Sequence, residues 1–293
     1  MSLSSGRVSA HTLPHAVVQR TRLSSPEWEH ATLRPLTGYR RSSTMTLMTS
    51  DSRLAQRLLG LIDLTSLNPT DTAETVRTLA ASATIPAGRV AAICIWARFI
   101  SVAREVLSGT GIPIAVVANF PEGASDVEAA RAETAAAVAE GADEVDVVFP
   151  YHAMLAGDDA AGVALVRACR TACGPKTILK VILETGQLGS ADHIRHASEL
   201  AILGGAHFLK TSTGKTQPGA TLQAAEAMLD VIASARSRGV SVGFKVSGGV
   251  STIADAQAYL EMYEKRFGPG SAIPGTFRIG ASSLMKPVLA ALR

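Results

Sequence analysis

The chain has 293 residues, 47% hydrophobic and 18% charged, which fits one large globular domain and excludes a disordered chain. No apolar run reaches the ~18 residues of a membrane span. The net charge of +3 comes from the N-terminal segment: residues 1–50 hold six arginines against Glu27 and Glu29, so the rest of the chain sums to −1 and offers no basic surface for nucleic acid.

Residues 1–50 show no sustained periodicity and are rich in Ser, Thr and Arg, a transit-peptide-like composition without a secretory apolar core. They are read as a disordered extension or as a translation start placed too early, with Met45 and Met48 just ahead of the patterned region. The folded domain is expected over 51–293. It opens on a helix at about 52–59 that caps the bottom of the fold. Strand-like runs then stand near 59–63, 90–96, 113–119, 143–149, 176–184, 206–211, 240–246 and 276–280. Ala- and Leu-rich helical stretches lie between most of them, as at 125–140 and 219–238. Ser125, Ser190 and Thr252 stand at helix-start positions, with Glu128, Asp192 and Asp255 behind them. Gly141 and Gly239 follow helices as C-terminal caps should. Eight strand–helix units predict an α/β chain folded as a single-domain (β/α)8 TIM barrel. The rival is an open doubly wound sheet. Its Gly-rich fingerprint would follow the first strand, where Asp63-Leu64-Thr65-Ser66-Leu67-Asn68 stands instead.

Cys94, Cys169 and Cys173 have no metal-ligand spacing. Cys169 and Cys173, four apart on a helical stretch, are read as small buried thiols. A reducing cytoplasmic setting is expected, and the cysteines point to no metal.

Three strand-like runs carry a lysine among apolar residues: Lys180 in Thr177–Leu183, Lys210 in Ala206–Thr211 and Lys245 in Val240–Val246. A buried ammonium costs several kcal/mol unless it is paired or gives up its proton. A lysine pushed toward neutrality is a nucleophile that forms a Schiff base with a carbonyl. Residues two apart share a strand face, which groups Glu144, Asp146 and Val148, and separately Lys180, Ile182 and Glu184. With Asp63 at the end of the first strand, charged groups from five strands converge on one barrel mouth, where barrel enzymes keep their chemistry.

A second signal is anion binding. Lys210-Thr211-Ser212-Thr213-Gly214-Lys215 follows strand six, Ser247-Gly248-Gly249 follows strand seven, and Gly280-Ala281-Ser282-Ser283 follows strand eight. Backbone N–H groups at such turns favour a phosphate, and loops seven and eight are a common barrel phosphate site.

Asp63-Leu64-Thr65, Ala92-Ile93-Cys94-Ile95, the run Gly141–Val148, the run Phe208–Lys215, Gly243-Phe244-Lys245 and Gly280-Ala281-Ser282-Ser283 together resemble the deoxyribose-phosphate aldolases, in order, from about residue 52 to 290. The resemblance implies Lys210 as the Schiff-base lysine, with Asp146 and Lys245 as proton-transfer residues. Lys180 and Asp63 would order that network. Gly214, Lys215, Gly248, Gly249, Ser282 and Ser283 would hold the phosphate. The implied reaction joins acetaldehyde to glyceraldehyde 3-phosphate, or cleaves 2-deoxyribose 5-phosphate, without a cofactor. The partners are then a small sugar phosphate and acetaldehyde, in a homodimer or other homo-oligomer.

The sequence departs from the family pattern at Ser251, where members often carry arginine, and it ends at Leu292-Arg293 without the terminal tyrosine some members use in proton transfer. Two other readings stay open: a different Schiff-base barrel acting on larger sugar phosphates, and a catalytically silent sugar-phosphate-binding barrel.

Overall fold

The computed structural model describes residues 50–293, in which eight parallel strands close into a barrel. They are β1 (Ile62–Thr65), β2 (Ala92–Ile95), β3 (Ile114–Ala118), β4 (Glu144–Val148), β5 (Ile178–Ile182), β6 (Phe208–Lys210), β7 (Gly243–Ser247) and β8 (Phe277–Ala281). Sequence neighbours pair throughout, and β1 closes the ring by pairing with both β2 and β8. The expected (β/α)8 barrel is therefore the observed fold, and the open sheet is rejected. The reading of residues 1–50 falls outside the described residues, apart from Ser50, which begins the first helix.

The strands are buried on both faces. Ile114–Ala118, Glu144–Val148, Gly243–Ser247 and Phe277–Ala281 are buried at every position. One set of side chains fills the barrel and the other meets the surrounding helices, so a parallel strand reads as a nearly unbroken apolar run. Against that background an inward charge stands out.

The helices begin and end where local chemistry allows. Ser190 accepts from the His193 N–H, and Thr252 forms a capping box with Asp255. Gly141 and Gly239 lie just beyond helix ends at φ of +98° and +81°, which an L side chain rarely adopts. Ser125 is not a cap. Asp126, next to the first helical residue, accepts from the Ala129 N–H at 2.9 Å and takes that role. Likewise Thr221 caps the helix Leu222–Ser237, so the helix expected from 219 starts later.

The first strand also starts later than expected. Leu58 and Leu59 belong to the helix Ser50–Leu59, and β1 begins at Ile62. One apolar run thus spans a helix end and a strand start, which composition alone does not divide. The helix buries Ala55, Leu58 and Leu59 and packs on the helices Ile253–Phe267 and Met285–Ala291. No described helix is long and apolar enough to cross a membrane. All three cysteines are free and buried.

Candidate active site

Seven charged side chains fill the barrel interior. Strand alternation aims Glu144 and Asp146 inward from β4, and the register sets Asp146 beside Lys180, Lys210 beside Lys245, and Lys245 beside Arg278. Asp63 joins them from β1. These are not rim charges: Asp63, Asp146, Lys180 and Lys245 are 0% exposed, Glu144 is 1%, and Lys210 and Arg278 are 3%.

Asp146 is the hub. Its Oδ1 accepts from Lys180 Nζ at 2.7 Å, and its Oδ2 accepts from Lys210 Nζ at 2.9 Å and from Lys245 Nζ at 2.8 Å. Lys245 also lies 2.5 Å from Asp63 Oδ2. Lys180 lies 2.5 Å from Glu144 Oε2 and 4.0 Å from Asp63 Oδ2. Arg278 spans the remaining oxygens, donating to Asp63 Oδ1 at 2.6 Å and to Glu144 Oε1 at 2.8 Å. The absence of a side chain at Gly280 is part of this packing: a Cβ there would lie 2.9 Å from Lys245 Cε.

The three lysines are not equivalent. Burial, aided by the Lys245 cation, pushes Lys210 below the usual lysine range against the pull of Asp146. For Lys245, burial acts the same way, but Asp146 and Asp63 outweigh it and hold the pKa above the usual range. Lys180 is likewise raised despite burial, by Asp146 and Glu144. Burial would raise the Asp146 carboxyl, yet the three ammonium groups hold it well below the ordinary value. The same balance against burial, with Lys245 and Arg278 as its main cations, lowers Asp63.

Above these groups lies a cavity of about 250 Å³ whose lining includes Lys210, Gly214, Lys215, Gly248, Gly249, Ser282 and Ser283. All six residues expected at a phosphate site thus share one cavity with the amine of lowest pKa among the three lysines. Among the described residues, the amides of Gly214, Gly248, Gly249 and Ser282 donate to no protein group. Lys215 reaches across from the β6 loop and donates to the Leu67 carbonyl at 2.7 Å. Ser251 lines the cavity too, but its amide donates to Asp255 Oδ2 at 3.3 Å. It therefore supplies no replacement for an arginine.

The structure corrects the expected face of β5. The strand ends at Ile182, and Glu184 follows with left-handed backbone at φ +55°. Its buried carboxylate turns toward the β6 loop, accepting from the Thr213 amide at 3.3 Å and the Thr213 hydroxyl at 2.5 Å. Thr213 Oγ1 in turn accepts from the Lys215 amide at 3.0 Å. A Cβ at Gly186 would lie 2.0 Å from the Pro218 carbonyl oxygen, so the β5 and β6 loops touch through backbone there.

Arg278 escaped the sequence reading. The signal was the one that exposed the lysines, a charge inside an apolar strand, here Phe277-Arg278-Ile279-Gly280-Ala281. Glu144 was placed on the Asp146 face without a partner. Among the described residues no His, Cys, Asp and Glu group is placed to hold a metal ion. Asp63, Glu144 and Asp146 are already engaged by cations, and Glu184 by Thr213.

A closed barrel that sets a buried lysine of lowered pKa beside an aspartate and a lined cavity has the architecture of a barrel enzyme. A family model described as DeoC/LacD family aldolase matches residues 57–284, and the chain belongs to that family; the protein is an aldolase. Solved structures agree. A protein from Coccidioides immitis, provisionally assigned as a deoxyribose-phosphate aldolase, is 31% identical with a TM-score of 0.70, over 81% of this chain and 86% of that one. A similarly assigned protein from Toxoplasma gondii ME49 is 25% identical with a TM-score of 0.75, over 82% and 94% of the two chains. The tetrameric deoxyribose phosphate aldolase of Aeropyrum pernix shares the fold at 22% identity and a TM-score of 0.65, over 82% and 96%.

Proposed function

We propose that the protein is a class I deoxyribose-phosphate aldolase, and that Lys210 forms the Schiff base. One observation carries this reading: of three buried lysines, the one with a lowered pKa is the one that lines the cavity. A lowered pKa makes that amine easier to deprotonate and so a better nucleophile, and its place in the cavity makes it reachable.

In the synthetic direction, Lys210 Nζ adds to the acetaldehyde carbonyl to give a carbinolamine, which loses water to form an iminium. The iminium acidifies the methyl carbon, and loss of its proton gives an enamine. The enamine carbon attacks the aldehyde carbon of glyceraldehyde 3-phosphate, and the new alkoxide takes up a proton. Water then adds to the iminium and releases 2-deoxyribose 5-phosphate and the free amine. Asp146, ionised and within hydrogen-bond reach of Lys210, is suited to accept and return protons at the carbinolamine and enamine steps. Lys245 stays cationic, repels a proton on Lys210 and keeps Asp146 ionised. Lys180 and Asp63 hold Asp146 and Lys245 in place. The free amides of Gly214, Gly248, Gly249 and Ser282, with Lys215, would receive the phosphate. The free, buried thiols suit a reducing cytoplasm. A homo-oligomer is proposed by analogy with the tetrameric Aeropyrum pernix protein.

The test is turnover of 2-deoxyribose 5-phosphate to glyceraldehyde 3-phosphate and acetaldehyde, with borohydride reduction and peptide mapping of the adduct. An adduct on Lys210 together with turnover supports the reading. Turnover without an adduct there would refute the Schiff-base assignment, and activity confined to a larger donor would refute the substrate assignment.

A further inference from the structure

The barrel interior carries one positive charge in excess. Lys180, Lys210, Lys245 and Arg278 face Asp63, Glu144 and Asp146, four cations against three carboxylates. The other groups turned toward this cluster do not alter the count. Cys94 of β2 is a thiol that burial pushes further from ionisation, and β3 presents the apolar Ala115 and Val117. An excess charge out of water is costly, and the cluster loses it by releasing one proton.

Which cation yields is decided by pairing. Lys180 lies within 4.0 Å of three carboxylates and Lys245 of two. Arg278 bonds to two carboxylates, and a guanidinium does not give up its proton in a protein. Lys210 meets Asp146 alone, and that oxygen also serves Lys245.

We propose that Arg278 and Glu144, neither of which lines the cavity, set this charge balance and so make Lys210 the amine that is unprotonated. They are positioning residues, acting through Lys210 without touching substrate. The proposal rests on Lys210 as the catalytic amine but goes further, because it assigns the tuning to the whole cluster and not to Lys245 alone. Arg278 supplies the excess charge. Glu144 limits it, and it occupies Lys180 so that Asp146 is not drawn away from Lys210.

The two residues make opposite predictions. Arg278→Gln removes a positive charge, so the cluster is neutral with Lys210 protonated and the Lys210 pKa rises. Glu144→Gln removes a negative charge, so the excess grows and the Lys210 pKa falls. Each shift is expected to be on the order of one pH unit, the effect of a unit charge across a barrel interior at an effective dielectric of about 20. The double variant restores the count and brings the midpoint back toward wild type.

The measurement is competitive acetylation of Lys210 with acetic anhydride across pH, read by peptide mass spectrometry, which reports the amine without requiring turnover. Borohydride trapping with acetaldehyde is run in parallel on the wild type. Opposite shifts in the single variants and a return in the double variant support the proposal. Unchanged midpoints, shifts in the same direction, or a gain of reactivity at Lys180 in place of Lys210 in Glu144→Gln would overturn it. Should Arg278→Gln fail to fold, Glu144→Gln, which keeps an acceptor for Arg278, decides alone: a downward shift supports the proposal and no shift refutes it. A trapped adduct elsewhere than Lys210, alongside the expected shifts, would overturn the catalytic reading and leave the charge balance standing.

Discussion

Lys210 and Lys245 are register partners across β6 and β7, and their amines donate to the same oxygen, Asp146 Oδ2, at 2.9 and 2.8 Å. Two amines on one carboxylate oxygen cannot both be comfortable as cations. Lys245 has a second carboxylate in Asp63, and Lys210 has none. The asymmetry separates the two, lowering the pKa of Lys210 and raising that of Lys245, although both are buried lysines on strands.

Lys210→Ala is therefore expected to abolish trapping with acetaldehyde and borohydride while leaving a folded barrel, since the substitution removes the side chain with the fewest carboxylate partners in the cluster. Peptide mapping checks it. An adduct at Lys245 or Lys180 in the wild type would contradict the assignment.

Lys245→Leu is expected to lower kcat by about 100-fold or more, the range of one positioned proton-transfer group. The loss of its charge also lets the Lys210 pKa rise. Part of the lost activity should then return as pH is raised, which a purely structural role for Lys245 would not produce. Circular dichroism and a pH profile of kcat distinguish the two.

Lys215→Ala is expected to raise KM for the phosphorylated aldehyde about 10- to 100-fold, matching the ~1.5–3 kcal/mol of a hydrogen bond to a charged group. Unphosphorylated glyceraldehyde should be almost indifferent to it. Equal damage to both substrates would place Lys215 in the proton-transfer network.

Glu184→Ala is expected to act on the same binding step at one remove. Its carboxylate fixes Thr213, and Thr213 Oγ1 fixes the Lys215 amide. Loss of that support should raise KM for the phosphorylated aldehyde about tenfold, the equivalent of ~1.4 kcal/mol. Trapping by acetaldehyde at Lys210 should be little changed. Glu184→Gln, which keeps one acceptor oxygen, should recover part of the loss.

The pH dependence of stability follows from Asp63 and Asp146, whose folded pKa values lie below the ordinary carboxylate value. The unfolded chain then binds more protons than the folded one once pH drops to the unfolded carboxylate range of about 4. Their contribution is fully present above that range and is lost as pH falls toward the folded values. Urea titrations at pH 7, 5 and 3 should show a steep loss between 5 and 3 in the wild type. Asp146→Asn should be less stable at pH 7 and lose less on acidification. A parallel pair of curves would contradict this linkage.

The barrel was legible in the order of apolar runs and helix caps, because a parallel strand buried on both faces leaves a short apolar run and a capped helix leaves Ser, Thr or Asp at its start. Boundaries were less legible where two elements share one apolar stretch, as at Leu58, Leu59 and Ile62, or where two cap-forming residues adjoin, as at Ser125 and Asp126. The positions of Lys180, Lys210 and Lys245 could be found from sequence because a charge inside a buried strand is rare.

Their division of labour could not be found that way. Strand alternation says that a side chain points inward, but it does not say how many carboxylates it will meet there. That number depends on the barrel closing and bringing β1 and β8 against each other, so that Asp63 and Arg278, 215 residues apart in sequence, form an ion pair. Local sequence thus fixed which residues carry charge into the interior. The closed barrel decided their pairing, and pairing in a buried interior lowers the pKa of one of three chemically identical amines and raises the other two.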